Sequence, residues 1–149
     1  MTAKSVIPIW KKKVTAASLN AISSGTMASC LGMEFCEPGP DFMRVRMPVD
    51  ERTRQPLGIL HGGATAALIE TAASTAAWSA VPDGQIAIGM ELNANHVRRV
   101  ESGWIEVVVR PLHLGRTTHV WEARVTDDRG HLISAGRMTL AVLQKPEMG

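Results

Sequence analysis

A run of small and apolar residues from Gly62 to Ala80 constrains the fold of this 149-residue chain more than any other feature. Alanine dominates the run, which predicts one long helix packed closely against its surroundings on most sides. The sequence Val81-Pro82-Asp83-Gly84 follows at once and predicts the end of this helix. The run is nearly long enough to cross a membrane, but one glutamate and five Ser/Thr residues argue against a membrane span.

Extended segments lie on both sides of the predicted helix. Phe42 to Val49 alternates between apolar residues and arginines, which is the pattern of a half-buried strand. After the helix, turn sequences such as Asp127-Asp128-Arg129-Gly130 separate four strand-like runs: Gln85 to Val97, Trp104 to Leu112, Thr117 to Thr126 and Leu132 to Leu143. One long helix followed by an antiparallel meander predicts an α+β fold, in which an antiparallel sheet wraps around a long central helix.

The first part of the chain carries weaker signals. Residues 1–13 are expected to form a loose N-terminal arm, and residues 14–145 a single domain. A short helix is predicted after the arm, with Thr15 or Ser18 as its cap. Its apolar side is expected to consist of Leu19, Ile22 and Met27. A short strand is predicted from Gly32 to Glu37, before a proline-rich turn.

Composition and charge exclude several classes of protein. The net charge is only +2, and the longest basic run is Lys11-Lys12-Lys13, so a nucleic-acid partner is not expected. The N-terminus lacks the apolar core of a signal peptide. Cys30 and Cys36 are expected to be reduced thiols, and a disulfide between them is the alternative. No histidine pair has metal-ligand spacing. We therefore expect a cytoplasmic protein that has no metal site and does not associate with a membrane.

Glu70 is the only charged residue in the predicted helix, and it is a candidate catalytic residue. A carboxylate is costly to bury in such an apolar run unless it is paired or used. His61-Gly62-Gly63 stands at the start of the same helix, where free backbone N–H groups stabilise negative charge. A lone acid and a set of oxyanion donors favour acyl transfer. The alternative is a structural acid paired with an arginine from another strand.

The segment from Gln55 to Gly63, together with Glu70 and Ser74, resembles the active-site segment of hotdog-fold acyl-CoA thioesterases. Leu92 to Arg98 and Pro111 to Gly115 add to this resemblance, which extends from about Ile9 to Leu143. Within the family, the chain is similar to the 4-hydroxybenzoyl-CoA thioesterase type that uses a helix glutamate. Its most similar branches act on hydroxynaphthoyl-CoA in menaquinone biosynthesis and on misacylated carrier protein in enterobactin synthesis.

The resemblance implies a role for each residue of the motif. Glu70 is the catalytic carboxylate, as nucleophile or as general base on water. The Gly62 N–H polarises the thioester carbonyl and holds the oxyanion. Gln55 binds the carbonyl or orients water, and His61 supports this end of the site. Ser74, one turn after Glu70, positions water or the acyl group; its alternative is a small packing residue.

A second set of residues is assigned to substrate binding by the same resemblance. His96 matches a position near the acyl pocket, and Gly63 lies beside the oxyanion donor. The phosphates of coenzyme A are expected to bind at Arg98, Arg99, Arg116 and Thr117. Arg116 departs from the family pattern, which has serine there, but a basic side chain suits a phosphate. Coenzyme A enters as part of the substrate, and no other cofactor is expected.

Helix geometry adds an independent prediction about assembly. Gly62 and Glu70 are eight residues apart, or roughly 12 Å along one helix. A single thioester carbon must lie within about 3 Å of both groups. Two antiparallel helices related by a two-fold axis meet this requirement, and one helix does not. We therefore expect a dimer as the catalytic unit, and the resemblance favours a tetramer of such dimers.

The sequence thus predicts hydrolysis of an aromatic acyl-CoA to the free acid and coenzyme A. One alternative is a proofreading thioesterase that acts on misacylated aryl carrier protein. Another is an acyl-CoA binding protein without catalysis. Intact Gln55, His61, Gly62 and Glu70 argue against the last alternative, because a binding protein has no need of an acid directed at the carbonyl.

Overall fold

The structure is a computed structural model that describes residues 7–146. One sheet of six antiparallel strands wraps around one long helix, as the sequence predicts. The elements in chain order are α1 (Ala16–Ile22), α2 (Met27–Cys30), β1 (Glu34–Phe35), β2 (Met43–Pro48), α3 (Gly62–Ala80), β3 (Gln85–His96), β4 (Trp104–Leu114), β5 (Thr118–Asp127) and β6 (Leu132–Gln144).

The core lies between α3 and the concave face of the sheet. Helix α3 presents small and apolar side chains to the sheet, so the strands pass close to the helix backbone. The fully buried residues of α3 include Leu68, Ile69, Ala72, Ala73, Ala76 and Ala77. The alternation of β2 is confirmed, because Met43, Val45 and Met47 are fully buried and the arginines between them face outward. This packing fixes α3 across the sheet.

The strand order is β1-β2-β4-β5-β6-β3, and it corrects one prediction. Strands β4, β5 and β6 form the expected meander, and the turn at Asp127 to Gly130 is confirmed as a hairpin. Strand β3 does not pair with β4. It pairs with β6 along its whole length and forms a free edge of the sheet. Local alternation marks a segment as a strand but carries no information about its partner.

Strand β1 is shorter than predicted, with only Glu34 and Phe35 in register with β2. Gly32 has a φ of 70°, which turns the chain immediately before the strand. Pro38 and Pro40 follow it, and a proline has no N–H to extend the ladder. The strand is therefore confined to the short segment between these breakers.

The expectation of a loose N-terminal arm is wrong for residues 7–13, while residues 1–6 lie outside the described part. The Trp10 indole stacks on Trp121, with ring centroids 6.3 Å apart, and donates a hydrogen bond to Gly39 O at 2.7 Å. Lys12 Nζ donates to the carbonyls of Trp78 and Val81 at the end of α3. Burial lowers the pKa of Lys12. A cation there compensates the helix dipole, which anchors the arm.

Helix α1 begins as predicted at Thr15. Thr15 and Ser18 form a reciprocal capping box, in which each side chain accepts a hydrogen bond from the other residue's N–H. The predicted apolar side of this helix is confirmed only for Leu19, which is buried. Ile22 and Met27 are largely exposed. Helix α1 ends at Ile22 with Ser23 as its C-cap, and Gly25, with a φ of 73°, turns the chain before Met27.

His119 predicts a pH dependence of stability. Its side chain is 3% exposed, its Nδ1 has no hydrogen-bond partner, and its pKa is lowered by burial and further by His113. Between the lowered pKa of His119 in the folded chain and its ordinary pKa of 6.5, the unfolded chain binds more protons at His119 than the folded chain does, so the free energy of unfolding falls as pH decreases through this range. The contribution is at most about 1.4 kcal/mol per pH unit.

Replacing His119 with phenylalanine removes this contribution. Urea unfolding at pH 7.0 and pH 5.5 should show a smaller loss of stability in His119→Phe than in the wild type. Identical pH dependence in the two proteins would contradict the assignment.

Candidate active site

The start of α3 is fixed by a tight loop and by a histidine cap. Gln55 and Ile59 close the loop through a backbone hydrogen bond of 2.8 Å, and Gly58 in its turn has a φ of 75°. His61 is the N-cap of α3, and its Nδ1 accepts a hydrogen bond from the Gly63 N–H at 2.8 Å. The loop thus brings Gln55 back to the first turn of the helix.

Five of the predicted site residues line one cavity of about 390 Å³ at this end of α3: Gln55, Gly62, His96, Arg98 and Arg99. The His96 ring packs over Gly62, since a Cβ on Gly62 would lie 2.9 Å from His96 Nε2. The Gly62 N–H belongs to the first turn and donates to no backbone or side-chain acceptor among residues 7–146. A backbone donor therefore stands at this cavity, beside an amide and an imidazole.

Glu70 and Ser74 line a different cavity, of about 710 Å³, farther along α3. They lie one helical turn apart on the same face, as predicted. Gly63, assigned to substrate binding, borders this cavity rather than the first. Glu70 is exposed in the single chain, and no cation lies within ion-pair distance of it among the described residues. The alternative of a structural acid paired with an arginine therefore has no support within one chain.

The carboxylate of Glu70 lies against the edge strand β3. A Cβ on Gly89 would collide with Met138 Cε and would lie 3.3 Å from Glu70 Oε1, so the absence of a side chain at Gly89 leaves room for both of these side chains. The pairing of β3 with β6 shifts register between Gly89 and Glu91, which marks a β-bulge. The bulge and the glycine let the strand pass close to the carboxylate.

Gly62 and Glu70 do not meet within one chain. They occupy one helix at a separation of roughly 12 Å, and they line two separate cavities. The chain therefore carries an oxyanion donor at one place and a carboxylate at another. Each is half of the arrangement that acyl transfer needs.

The four residues assigned to phosphate binding are divided between the two ends of α3. Arg98 and Arg99 lie at the cavity beside Gly62. Arg116 lines a third cavity, of about 530 Å³, beside Val81 at the other end, and the exposed Thr117 is its neighbour in sequence. Helix α3 has 19 residues and spans roughly 27 Å. One chain therefore does not gather these four residues around one phosphate.

Several residues of the second cavity were not predicted as site residues. Thr71 and Thr75 stand beside Glu70 and Ser74 on α3, and a spacing of four residues from Ala67 could have found them. Ile22, Thr26 and Met27 form the opposite wall. No local signal marks that wall, because it depends on how the α1–α2 turn packs against α3.

Two further observations concern residues 7–146. No three His, Cys, Asp or Glu side chains in this part of the chain are arranged to hold a metal ion. None of the helices described is long and apolar enough to cross a bilayer.

Comparison with known proteins identifies the class that this fold and this pair of half-sites define. The model of the thioesterase superfamily matches residues 57–134, the part that contains α3 and most of the cavity residues. The chain belongs to this superfamily. The predicted hotdog fold and the predicted thioester hydrolase activity are thereby confirmed.

Individual relatives match over almost their whole length. The chain is 44% identical to the proofreading thioesterase EntH of Cronobacter turicensis, over 91% of this chain and 98% of the relative. It is 42% identical to the 1,4-dihydroxy-2-naphthoyl-CoA hydrolase of Escherichia coli, over 91% and 99%. The crystal structure of a thioesterase from Haemophilus influenzae superposes with a TM-score of 0.90, at 39% identity, over 91% and 95%.

Proposed function

We propose that this protein hydrolyses an aromatic acyl-CoA to the free acid and coenzyme A at a site shared between two subunits. The observation that carries this proposal is the placement of Gly62 and Glu70 in separate cavities of one helix. Acyl transfer needs both groups at one carbonyl, so a second copy of the chain must complete the site. A relative named as a hydrolase of an aromatic acyl-CoA supports the substrate class.

The chemistry follows from the two half-sites. In one subunit, the Gly62 N–H donates to the thioester carbonyl oxygen and stabilises the oxyanion, while Gln55 binds the carbonyl or the attacking water and His61 holds the helix start. In the other subunit, Glu70 attacks the carbonyl carbon or removes a proton from water that attacks it. The C–S bond then breaks, and the thiolate of coenzyme A leaves and takes up a proton.

The two routes differ only in one intermediate. Direct attack by Glu70 gives an acyl–carboxylate anhydride, which water then hydrolyses to the acid and the free Glu70. With Glu70 as a general base, water adds to the carbonyl without a covalent enzyme intermediate. Ser74 positions the water or the acyl group in both routes, and both draw only on a carboxylate, backbone donors and water. We therefore propose that no cofactor is needed apart from the coenzyme A of the substrate.

The free edge of β3 supports a dimer with this geometry. Its 12 residues are unpaired on one side, and Ile88 and Met90 on it are 49% and 59% exposed. An exposed apolar edge strand is a ready surface for pairing with another chain. Two β3 edges that pair antiparallel would run the two α3 helices antiparallel beside them. A tetramer of such dimers is proposed from the family resemblance.

The coenzyme A moiety is assigned to basic residues at the mouth of the site. Arg98, Arg99 and His96 stand at the oxyanion cavity and are exposed, so a phosphate reaches them from solvent. Arg116 and Thr117 lie near the opposite end of α3. We propose that they contact the same ligand only from a neighbouring subunit.

A second candidate substrate is a misacylated aryl carrier protein. The relative named as a proofreading thioesterase, at 44% identity, favours this candidate. The relative that acts on 1,4-dihydroxy-2-naphthoyl-CoA instead favours a place in menaquinone biosynthesis.

Free Cys30 and Cys36 support a location in the reducing cytoplasm.

Thiol release from a panel of substrates tests the proposed reaction. We expect hydroxynaphthoyl-CoA and hydroxybenzoyl-CoA to be hydrolysed with a kcat/KM at least about tenfold above that of straight-chain acyl-CoAs. The same aryl groups on a carrier protein separate the two candidates. A higher kcat/KM with the carrier protein would favour proofreading, and no hydrolysis of any thioester would contradict both.

A further inference from the structure

The cavity that holds Glu70 has a second wall, formed by the turn between α1 and α2. Glu70 and Ser74 line the cavity from α3, and Ile22 and Met27 line it from the opposite side. These two apolar side chains are 63% and 65% exposed. The cavity therefore places an apolar surface across from the carboxylate and its neighbouring hydroxyl.

Two backbone turns and one buried side chain hold this wall in place. Gly25 and Gly32 bracket α2 with φ values of 73° and 70°, a conformation that favours glycine. Between them, Ala28 is buried against the core and anchors the short helix. Met27 precedes Ala28 and is left pointing away from the core, at the cavity. Its position is thus determined by its neighbours, and its side chain is free to contact a ligand.

We propose that Ile22 and Met27 bind the acyl group and set a preference for a bulky aromatic acyl chain. This inference rests on the proposed function. The acyl group is bonded to the carbon that Glu70 attacks, so it must extend from the carboxylate into or along this cavity. The volume of about 710 Å³ lies within the range of small-molecule sites.

The side chains on the two walls suit an aromatic group better than a linear one. The methionine thioether is polarisable and makes favourable contacts with the edge of an aromatic ring. Hydroxyls of Thr71, Ser74 and Thr75 on α3 are available to polar substituents of the ring.

Substrate selectivity tests this assignment. Met27→Ala is expected to lower kcat/KM for hydroxynaphthoyl-CoA by about tenfold and to change kcat/KM for butyryl-CoA by less than about twofold. Met27→Leu keeps an apolar side chain of similar volume and should restore most of the lost selectivity. Leu112→Ala is the matched control, because Leu112 is an exposed apolar residue that does not line the cavity.

The outcomes separate this inference from the proposed function. If Met27→Ala lowers kcat/KM by the same factor for hydroxynaphthoyl-CoA and butyryl-CoA, or leaves both values unchanged, the role of Met27 in acyl selectivity is overturned. Glu70→Gln on the same substrates tests the site itself. If hydrolysis depends on Glu70 but the ratio of kcat/KM for the two substrates does not depend on Met27, only the assignment of the acyl-binding wall is wrong. If hydrolysis survives Glu70→Gln, the proposed site fails as well.

Discussion

Replacing Glu70 with glutamine is expected to lower kcat by roughly 10³-fold, while the fold and the assembly remain intact. Glutamine has nearly the same shape but cannot act as a nucleophile of this kind or accept a proton from water. Glu70 is exposed and has no ion-pair partner among the described residues, so its loss removes no stabilising contact within the chain. Single-turnover measurement of thiol release reports this loss directly.

Glu122→Gln provides a matched control for this variant. Glu122 is an exposed glutamate on β5, outside both cavities of the proposed site. Its replacement is expected to leave kcat unchanged. Circular dichroism and gel filtration should show wild-type folding and size for both variants. Near-normal turnover by Glu70→Gln would contradict the assignment of Glu70 as the catalytic carboxylate.

Mixing two inactive variants is expected to restore about one quarter of wild-type activity, if the site is shared across a two-fold axis. Gln55→Ala damages the oxyanion half of the site, and Glu70→Gln damages the carboxylate half. Each homodimer then has two defective sites. A mixed dimer has one site with both defects and one intact site. Random equal mixing makes about half of the dimers mixed, each with one working site of two.

The experiment needs denaturation and joint refolding, or co-expression with two affinity tags, so that subunits exchange. The reference is the same two variants mixed without exchange, which should show only the mean of their separate activities. Activity that stays at that mean after exchange would place the whole site within one chain. The geometry argues against that result, because Gly62 and Glu70 line different cavities.

Helix α3 is a feature that local sequence patterns predict correctly. Its bounds, Gly62 and Ala80, coincide with the predicted run, because alanine content, a histidine cap and a following proline all act within a few residues. The half-buried strand β2 was equally predictable from its alternation. The capping box at Thr15 also depends only on residues three apart.

The N-terminal arm and strand β3 show where such patterns stop. Trp10 is anchored by Trp121, and Lys12 by the end of α3, at sequence separations that no local pattern encodes. Strand β3 was recognised as a strand, but its pairing with β6 depends on the closure of the whole sheet. The wall formed by Ile22 and Met27 depends likewise on the packing of α2 against α3.

The sequence by itself determined the elements, the family and the chemical groups of the site, because residue type and short-range spacing set helix and strand preference and supply the reactive atoms. Only the tertiary structure decided that β3 is a free edge beside the carboxylate and that the basic residues divide between two ends of α3. Those relations join residues far apart in the chain, and they follow from how the sheet curves around the helix.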